Sequence, residues 1–366
     1  MIVYRLVALL AAVWPSLGLP AGETTVDVEE EAKYTGYKVL AVTPNTEQEL
    51  AWLVQLKLNA NINCTLDWWN EPSLPTVPVA LAVNPACLDL VSGELQSQGL
   101  NYNITIPDLE HLITEERNYR FLSQLYRDPY DWSEDVYHNL EEINERVAWL
   151  VETYSEILSI KNLATTYEGR SIDVVIAREA GAVNKPVIWI DCGIHAREWV
   201  SPPTCLHAIN QLVINQNSLD QEENLLAMYD FYILPVANPD GYAYSWTKDR
   251  MWRKNRRPVG TSQTQNYGWD RCDYGVDPNR NFPVAFNSPQ GSSSNPCDDS
   301  YHGSKPFSEA ESQAVRNGIR ILQRKYGKKN IAAFVSIHAY SQLWMSPYGI
   351  YYFIPKTRKW EEREGV

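Results

Sequence analysis

The chain has 366 residues and a formal net charge of -13, and 44% of its residues are hydrophobic. This length accommodates two folded units, and the acidic charge argues against a nucleic-acid partner, whose phosphates favour a basic surface. The six cysteines fall as three pairs of sequence neighbours. An even number at such spacings is typical of short-loop disulfides and unlike a zinc ribbon, although parity alone leaves the pairing open. The neighbours are Cys64 and Cys87, Cys192 and Cys205, and Cys272 and Cys297.

The N-terminus predicts a secretory signal peptide over residues 1–22. Arg5 precedes an apolar run at residues 6–14, and small residues follow it. This run is far shorter than the ~20 residues that span a bilayer, and no later segment approaches that length. We therefore expect a secreted, extracellular protein without a membrane span. Glycosylation sequons at Asn63 and Asn103 fit that route.

Residues 23–107 predict a small α+β unit. Thr46 and Glu49 form a capping-box pattern that opens a helix, and a second helical stretch covers residues 87–98. Strand-like runs occupy residues 38–43, 66–69, 77–83 and 102–106. The order strand, helix, strand, strand, helix, strand is that of a ferredoxin-like unit, which has its own core.

Residues 108–131 are polar and predict a connecting segment. Arg117, Arg120 and Arg127 lie in or beside a predicted helix within it. A second domain is expected over residues 132–366.

The second domain opens with an amphipathic helix. From Tyr137 to Leu158, apolar side chains keep helical spacing, while Glu141, Glu142 and Glu145 are expected to point away from the core.

Strands and helices then alternate. Runs rich in Val and Ile without strict alternation predict strands buried on both faces, at residues 172–176, 187–190, 231–236 and 331–337. Helices are predicted after Pro203 and after Ser308, the latter with a Ser308–Glu311 capping box and an end at Gly327. The domain is therefore predicted to be α/β, with a mixed, mostly parallel sheet flanked by helices.

Two of these strands end near side chains of types that commonly bind metal ions. Residues 187–190 lead to His195 and Glu198, and residues 331–337 lead directly to His338. Open α/β sheets bind ligands at the carboxyl ends of their strands, so the three side chains are expected to converge. Two imidazoles and one carboxylate suit catalytic zinc, which keeps a fourth position open. The alternatives are a chance pairing of His195 with Glu198 and an ordinary core histidine at position 338.

Five motifs occur in order along the second domain, namely GIHAREW, NPDGYAYSW, RMWR, DPNRNF and SIHAYSQ. Together they resemble the zinc metallocarboxypeptidases of the pancreatic procarboxypeptidase A and B type. The small unit before Tyr137 is similar to the pro-domain of that family through its element order. The resemblance implies a carboxypeptidase-like fold and a zymogen, in which a pro-domain caps the active site until a trypsin-like protease cleaves the connecting segment.

The resemblance implies that His195, Glu198 and His338 bind one zinc ion. It also implies that Arg253 polarises the scissile carbonyl and stabilises the oxyanion beside the metal.

For substrate binding, Asn279 and Arg280 match the pair that receives the terminal carboxylate, a group that a planar guanidinium binds through two hydrogen bonds. Arg197, Arg250 and Tyr340 match residues that line the neighbouring peptide subsites.

Other positions match the family less fully. Cys192 with Cys205 and Cys272 with Cys297 fall where family members have disulfides, whereas pairing of Cys64 with Cys87 rests on parity. Lys254, Arg256 and Arg257 continue the basic run after RMWR and are expected to form a solvated face.

The family also uses a glutamate general base and a mobile tyrosine, both expected well after His338. The sequence has no match for either, and Glu361, Glu362 and Glu364 in the charged tail are expected to be solvated. The chain is therefore expected to be incomplete at its C-terminus.

The leading hypothesis is a secreted, monomeric zymogen of a zinc carboxypeptidase that acts on peptides with a free C-terminus. The alternative is an inactive, truncated form that binds zinc or peptide without hydrolysis. A zinc aminopeptidase or amidase is disfavoured, because Asn279 and Arg280 suit an anionic substrate end.

Overall fold

The computed structural model describes residues 33–58, 64, 66–126, 132–181, 185–218, 224–260, 272–288, 291–340 and 343–345. The predicted signal peptide, Asn63, Arg127 and the C-terminal glutamates lie outside these residues, as does the side chain of Arg120. None of the helices in these ranges combines the length and apolar character that a membrane crossing requires.

The N-terminal part forms a four-stranded antiparallel sheet with two helices. Its elements are β1 (Lys38–Val42), α1 (Glu47–Leu58), β2 (Leu66–Trp68), β3 (Val79–Val83), α2 (Leu88–Ser97) and β4 (Tyr102–Ile106), with sheet order β2-β3-β1-β4. Apolar side chains from both helices and the sheet share one core. The Glu49 N–H donates to Thr46 Oγ1 at 3.2 Å, as the capping pattern predicts. The ferredoxin-like order is confirmed.

Most of the predicted connecting segment is a helix, α3 (Leu109–Tyr126). Leu109 and Ile113 on this helix are buried in a small apolar cluster with Tyr34 and Met251. Helix α3 therefore packs against the second domain as well as following the first sheet.

The second domain contains a five-stranded mixed sheet. Its strands are β5 (Leu158–Thr165), β6 (Ser171–Ala177), β7 (Val187–Cys192), β8 (Asp230–Leu234) and β9 (Ile331–Ile337), in the order β5-β6-β8-β7-β9. Strand β7 pairs in parallel with β8 and β9, whereas β6 is antiparallel to β5 and β8. All of these strands except β6 thus run in one direction, which confirms a mixed, mostly parallel sheet.

Helices cover both faces of this sheet. They are α4 (Leu140–Thr153), α5 (Ser201–Ile214), α6 (Leu225–Met228), α7 (Pro239–Thr247) and α8 (Ala310–Tyr326). One core joins α4 and α5 to side chains such as Ile233, and a second joins α8 to side chains such as Tyr232. Adjacent residues of β8 therefore point into different cores, which explains why the strand lacks polar alternation.

Trp189 of β7 and Gly318 of α8 set the spacing of helix and sheet. Trp189 is fully buried, and a Cβ at position 318 would lie 2.3 Å from its ring. Only glycine allows the helix backbone to approach the indole so closely.

The N-terminal helix of the second domain differs from its prediction. It begins at Leu140, with Asn139 as N-cap, and the carboxylate of Glu142 accepts from the Asn139 N–H at 3.0 Å instead of pointing away. Leu158 lies outside the helix and begins β5, a strand that the sequence did not reveal because most of its residues are exposed.

The predicted Ser308–Glu311 capping box is wrong. The N-cap of α8 is Glu309, and Glu311 is buried, where it accepts from Asn255 Nδ2 at 2.9 Å. A partner distant in sequence therefore overrides the local pattern. The predicted end at Gly327, with φ of +78°, is confirmed.

The expected solvated face of Lys254 and Arg256 is also wrong. Lys254 is 1% exposed and donates from Nζ to the Pro296 carbonyl at 2.6 Å. The guanidinium of Arg256 lies 3.5 Å from the ring centroid of Tyr244 and 4.4 Å from that of Tyr274. Aromatic rings and a carbonyl thus compensate the two buried charges.

All three neighbouring cysteine pairs form disulfides, including Cys64 with Cys87.

The buried carboxyl of Glu311 predicts a pH dependence of stability. Burial raises its pKa from the ordinary 4.5 to about 7, in spite of the hydrogen bond from Asn255. The folded state holds this proton more tightly than the unfolded state, so unfolding free energy falls as pH rises from 4.5 to about 7. At ~1.4 kcal/mol per pH unit, the decrease from this group is about 3 kcal/mol.

Glu311→Gln keeps the acceptor for Asn255 and cannot ionise, so urea unfolding of this variant is expected to lack that decrease. Glu152→Gln, at an exposed site on α4, is the matched control. Parallel stability profiles for wild type and Glu311→Gln would contradict the prediction.

Candidate metal centre and substrate cleft

The three predicted metal ligands follow the carboxyl ends of β7 and β9. The parallel register pairs Cys192 with Ile337, so His338 follows its strand directly and His195 follows a turn at Gly193. Gly193 has φ of +64°, and a Cβ there would lie 3.1 Å from Pro202 Cγ. This turn therefore requires glycine.

Ser201, at the start of α5, links the two strand ends. The Gly193 N–H donates to Ser201 Oγ at 2.9 Å, and the hydroxyl donates to the Ile337 carbonyl at 2.5 Å. Sequence reasoning missed this residue, because a serine at a helix start carries no signal for a partner on a distant strand.

The ligand atoms of His195, Glu198 and His338 lie within 4.8 Å of one another. His195 Nδ1 is 2.8 Å from Glu198 Oε1, and His338 Nδ1 is 3.2 Å from Glu198 Oε2 and 3.1 Å from His195 Nδ1. His195 and Glu198 are buried, while the side chain of His338 is 30% exposed. The alternative of an isolated core histidine at position 338 does not describe this arrangement.

These donors fit a single zinc ion. Tetrahedral zinc with bonds of roughly 2.1 Å separates its ligand atoms by roughly 3.4 Å, close to the observed spacing. The two Nδ1 atoms both face the carboxylate, and His195 Nε2 is 3.1 Å from Asp277 Oδ1. A carboxylate behind a histidine ligand is the usual device that orients the ring and fixes its tautomer.

Asp277 also holds Arg253. The Nε and Nη2 atoms of Arg253 donate to Asp277 Oδ2 at 3.2 and 3.1 Å, and its Nη1 lies 3.5 Å from Glu198 Oε1. The sequence placed Asp277 in the DPNRNF motif without showing this role. One buried carboxylate thus joins the metal centre to the predicted carbonyl-polarising arginine.

The surrounding charges keep these groups ionised. Burial alone would raise the pKa of Glu198, but His195 and His338 hold it well below its ordinary value. Burial would likewise raise the pKa of Asp277, which Arg253 and His195 hold well below the usual range. Burial opposes the charge of Arg253, yet Asp277 and Glu198 raise its pKa.

A cleft of about 260 Å³ opens beside Glu198 and Arg253. Three of the predicted substrate-binding residues line it, namely Arg197, Arg250 and Tyr340. The remaining lining residues are Ala339 and Met251, together with Trp69, Leu109, Leu112, Ile113 and Glu116 from the N-terminal part of the chain.

Asn279 and Arg280 lie outside the lining of this cleft. They occupy a short 3₁₀ turn, Pro278–Arg280, directly after Asp277, whose Oδ1 accepts from the Asn279 N–H at 2.9 Å. Arg280 Nε donates to the Gly291 carbonyl.

Two histidines and a glutamate at the ends of parallel strands, open to an arginine-lined cleft, are the donor set typical of metallohydrolases that use one catalytic zinc. The family profile for zinc carboxypeptidase matches residues 143–363, and the profile for the carboxypeptidase activation peptide matches residues 40–116. This chain therefore belongs to the zinc carboxypeptidase family and carries that family's activation peptide.

Similar proteins agree. Carboxypeptidase A2 of Rattus norvegicus is 38% identical over 316 residues, which are 86% of this chain and 71% of that protein. The crystal structure of carboxypeptidase A from Helicoverpa armigera has a TM-score of 0.72 at 28% identity, covering 84% of this chain and 71% of that chain. The crystal structure of thrombin activatable fibrinolysis inhibitor has a TM-score of 0.66 at 30% identity, covering 83% and 72%.

Removing one imidazole should abolish tight zinc binding. His338→Ala is expected to weaken zinc affinity at least about 100-fold, because two protein ligands do not complete the site. Equilibrium dialysis against a competing chelator measures this. His207→Ala, at a half-exposed histidine paired with Glu134, is the control and should bind zinc as wild type does. Unchanged affinity in His338→Ala would remove that residue from the ligand set.

Proposed function

We propose that this protein is the secreted zymogen of a zinc carboxypeptidase that hydrolyses the last peptide bond of peptides with a free C-terminus. The observation that carries the proposal is the meeting of His195, Glu198 and His338 beside a cleft lined by Arg197 and Arg253.

A bound zinc ion supplies Lewis-acid polarisation of a carbonyl and activation of water. The proposed roles of the protein's own groups follow from their positions. Arg253, held by Asp277, presents positive charge beside Glu198, where a carbonyl oxygen gains negative charge during hydrolysis. Within the described part of the chain, Arg197 Nη2 is buried without a hydrogen-bond partner, which suits an acceptor on a bound peptide. Asn279 and Arg280 are proposed to receive the terminal carboxylate.

The zymogen part of the proposal rests on contacts between the activation peptide and three cleft residues, Arg197, Arg250 and Tyr340. Arg197 Nη1 donates to Asp67 Oδ1 at 3.1 Å, and Arg250 donates from Nε to Glu116 Oε2 at 2.6 Å. The hydroxyl of Tyr340 donates to Asn70 Oδ1 at 3.0 Å. Acidic and polar groups of the activation peptide thus occupy the positions proposed for substrate. Cleavage near α3 would therefore expose the cleft residues Arg197, Arg250 and Tyr340.

A second candidate function is binding of a peptide C-terminus without hydrolysis. The observation that favours it is the lack of a suitable general base among the described residues of the cleft. The carboxylates that line the cleft there are Glu198 and Glu116. Glu198 contacts both histidines and Glu116 pairs with Arg250, so neither is available as a general base. The chain spans 71% of the length of the rat relative.

The decisive experiment uses zinc-loaded protein after limited tryptic cleavage, with one peptide in C-terminally free and amidated forms. The free peptide is expected to lose its last residue, and the amidated peptide to react at least about 100-fold more slowly, since a site built for a carboxylate rejects its neutral analogue. A chelator-treated sample is the control. Equal cleavage of both peptides would contradict exopeptidase action, whereas selective binding of the free peptide without product would support the second candidate.

The contacts of the activation peptide predict a gain of peptide affinity in a loosened zymogen. Asp67→Asn with Glu116→Gln removes two ion pairs to the cleft arginines. The uncleaved variant should bind a labelled, C-terminally free peptide about tenfold more tightly, equivalent to ~1.4 kcal/mol. Asp89→Asn, at an exposed site on α2, is the matched control in the anisotropy titration. Affinity equal to that of the uncleaved wild type would show that these pairs do not restrict access.

Secretion is supported by the three disulfides and by the exposed sequon residue Asn103 on β4. Protein expressed with its own N-terminus is expected in the medium of cultured cells, in an endoglycosidase-sensitive form that Asn103→Gln alters. Retention of unmodified protein inside the cells would contradict the proposal.

A further inference from the structure

A buried carboxylate lies behind the metal centre and has no role in the proposed function. Asp191 is 1% exposed and lies on β7, where the parallel register pairs it with Ser336 of β9. Its Oδ2 accepts from Trp189 Nε1 at 2.8 Å, and its Oδ1 accepts from Ser336 Oγ at 2.6 Å. Burying a carboxylate is costly unless its interactions compensate, and no lysine or arginine pairs with Asp191 in the described residues.

Ser336 connects this carboxylate to a proposed zinc ligand. Ser336 and His338 are two residues apart at the end of β9 and so share one face of the sheet. Ser336 Oγ lies 3.3 Å from His338 Nε2, while His338 Nδ1 faces Glu198 Oε2 at 3.2 Å. The two nitrogens of His338 therefore have different neighbours, the serine on one side and the metal centre on the other.

The donor and acceptor types of these groups determine where the proton of His338 resides. A carboxylate only accepts hydrogen bonds. Both the indole N–H of Trp189 and the hydroxyl of Ser336 must therefore donate to Asp191. The hydroxyl oxygen then offers lone pairs to His338 Nε2. A neutral imidazole satisfies them by carrying its proton on Nε2, which leaves the lone pair of Nδ1 directed at the metal centre.

We propose that Asp191 is a positioning residue of the metal centre, which fixes the zinc-binding tautomer of His338 through the hydroxyl of Ser336. The inference deepens the proposed function and rests on His338 being a zinc ligand. His195 is oriented by a carboxylate directly, because its Nε2 is 3.1 Å from Asp277 Oδ1. The two imidazoles thus each depend on a buried aspartate, one in contact and one through a serine.

We call the hydrogen-bonded series Asp191, Ser336 and His338 the relay. Measuring zinc affinity tests the relay separately from catalysis. Ser336→Ala and Asp191→Asn are each expected to weaken zinc binding about 10- to 100-fold, as loss of a partner behind a metal ligand does. Ser336→Thr restores the hydroxyl on a strand that tolerates β-branched residues and should bind zinc as wild type does. Ser171→Ala, at an exposed strand serine of β6, is the matched control.

The second measurement reads the tautomer in metal-free protein. Long-range ¹⁵N–¹H correlation of ¹⁵N-histidine-labelled protein at pH 8 should place the His338 proton on Nε2 in the wild type and in Ser336→Thr. In Ser336→Ala the proton should redistribute between the nitrogens. In Asp191→Asn the serine hydroxyl is free to donate to Nε2, which drives the proton to Nδ1.

The outcomes separate the relay from its premise. The relay would be overturned if Ser336→Ala bound zinc as tightly as the wild type does. It would also be overturned if the His338 tautomer were unchanged in both Ser336→Ala and Asp191→Asn. Weakened binding in Asp191→Asn alone would also overturn it, since Asp191 would then act through the packing of Trp189. A wild-type chain that binds no zinc would instead refute the proposed function, and the tautomer spectra would still decide the relay.

Discussion

The parallel pairing of β7 with β9 is the interaction on which the candidate site depends. It brings His195 Nδ1 and His338 Nδ1 to 3.1 Å although 143 positions separate them in the sequence. A slip of one residue in this register would turn His338 to the opposite face of the sheet. The packing of Trp189 against Gly318 and the hydrogen bonds of Ser201 to both strand ends hold the register in place. The geometry of the candidate metal centre is thus a consequence of the core behind it.

The charges around the site are unbalanced in a way that suits a cation. Glu198, Asp277 and Asp191 are buried carboxylates close to the two imidazoles, and the guanidinium of Arg253 contacts Glu198 and Asp277. Buried carboxylates are expensive unless opposite charges and hydrogen bonds compensate them. A divalent ion between His195, Glu198 and His338 would supply the missing positive charge and relieve the close approach of the two Nδ1 atoms. The electrostatics and the donor geometry therefore point to the same occupant.

The sequence predicted those features that local pattern determines. Strands β7 and β9, the order of the N-terminal elements and the approach of His338 to His195 and Glu198 follow from apolar runs and from the rule that ligands bind at strand ends. Features that depend on partners far along the chain were missed or wrong. Glu311 does not form the predicted capping box because it accepts a hydrogen bond from Asn255. Arg256 does not form a solvated basic face because it packs against aromatic rings from two other segments. No local pattern in the sequence could reveal those partners.

The activation peptide combines two kinds of contact that respond differently to cleavage. Leu109 and Ile113 of α3 bury apolar surface against Met251, which is favourable whichever partner occupies the arginines. The ion pairs of Asp67 and Glu116 use Arg197 and Arg250 directly and so compete with any peptide that needs those guanidiniums. While the chain is intact, these carboxylates have a high effective concentration at the cleft because they belong to the same molecule. Cleavage of the connecting segment makes the contact between activation peptide and cleft bimolecular. Dilution and a competing peptide then both weaken the acidic contacts. The rate of release is therefore set by how long the apolar contact of α3 persists.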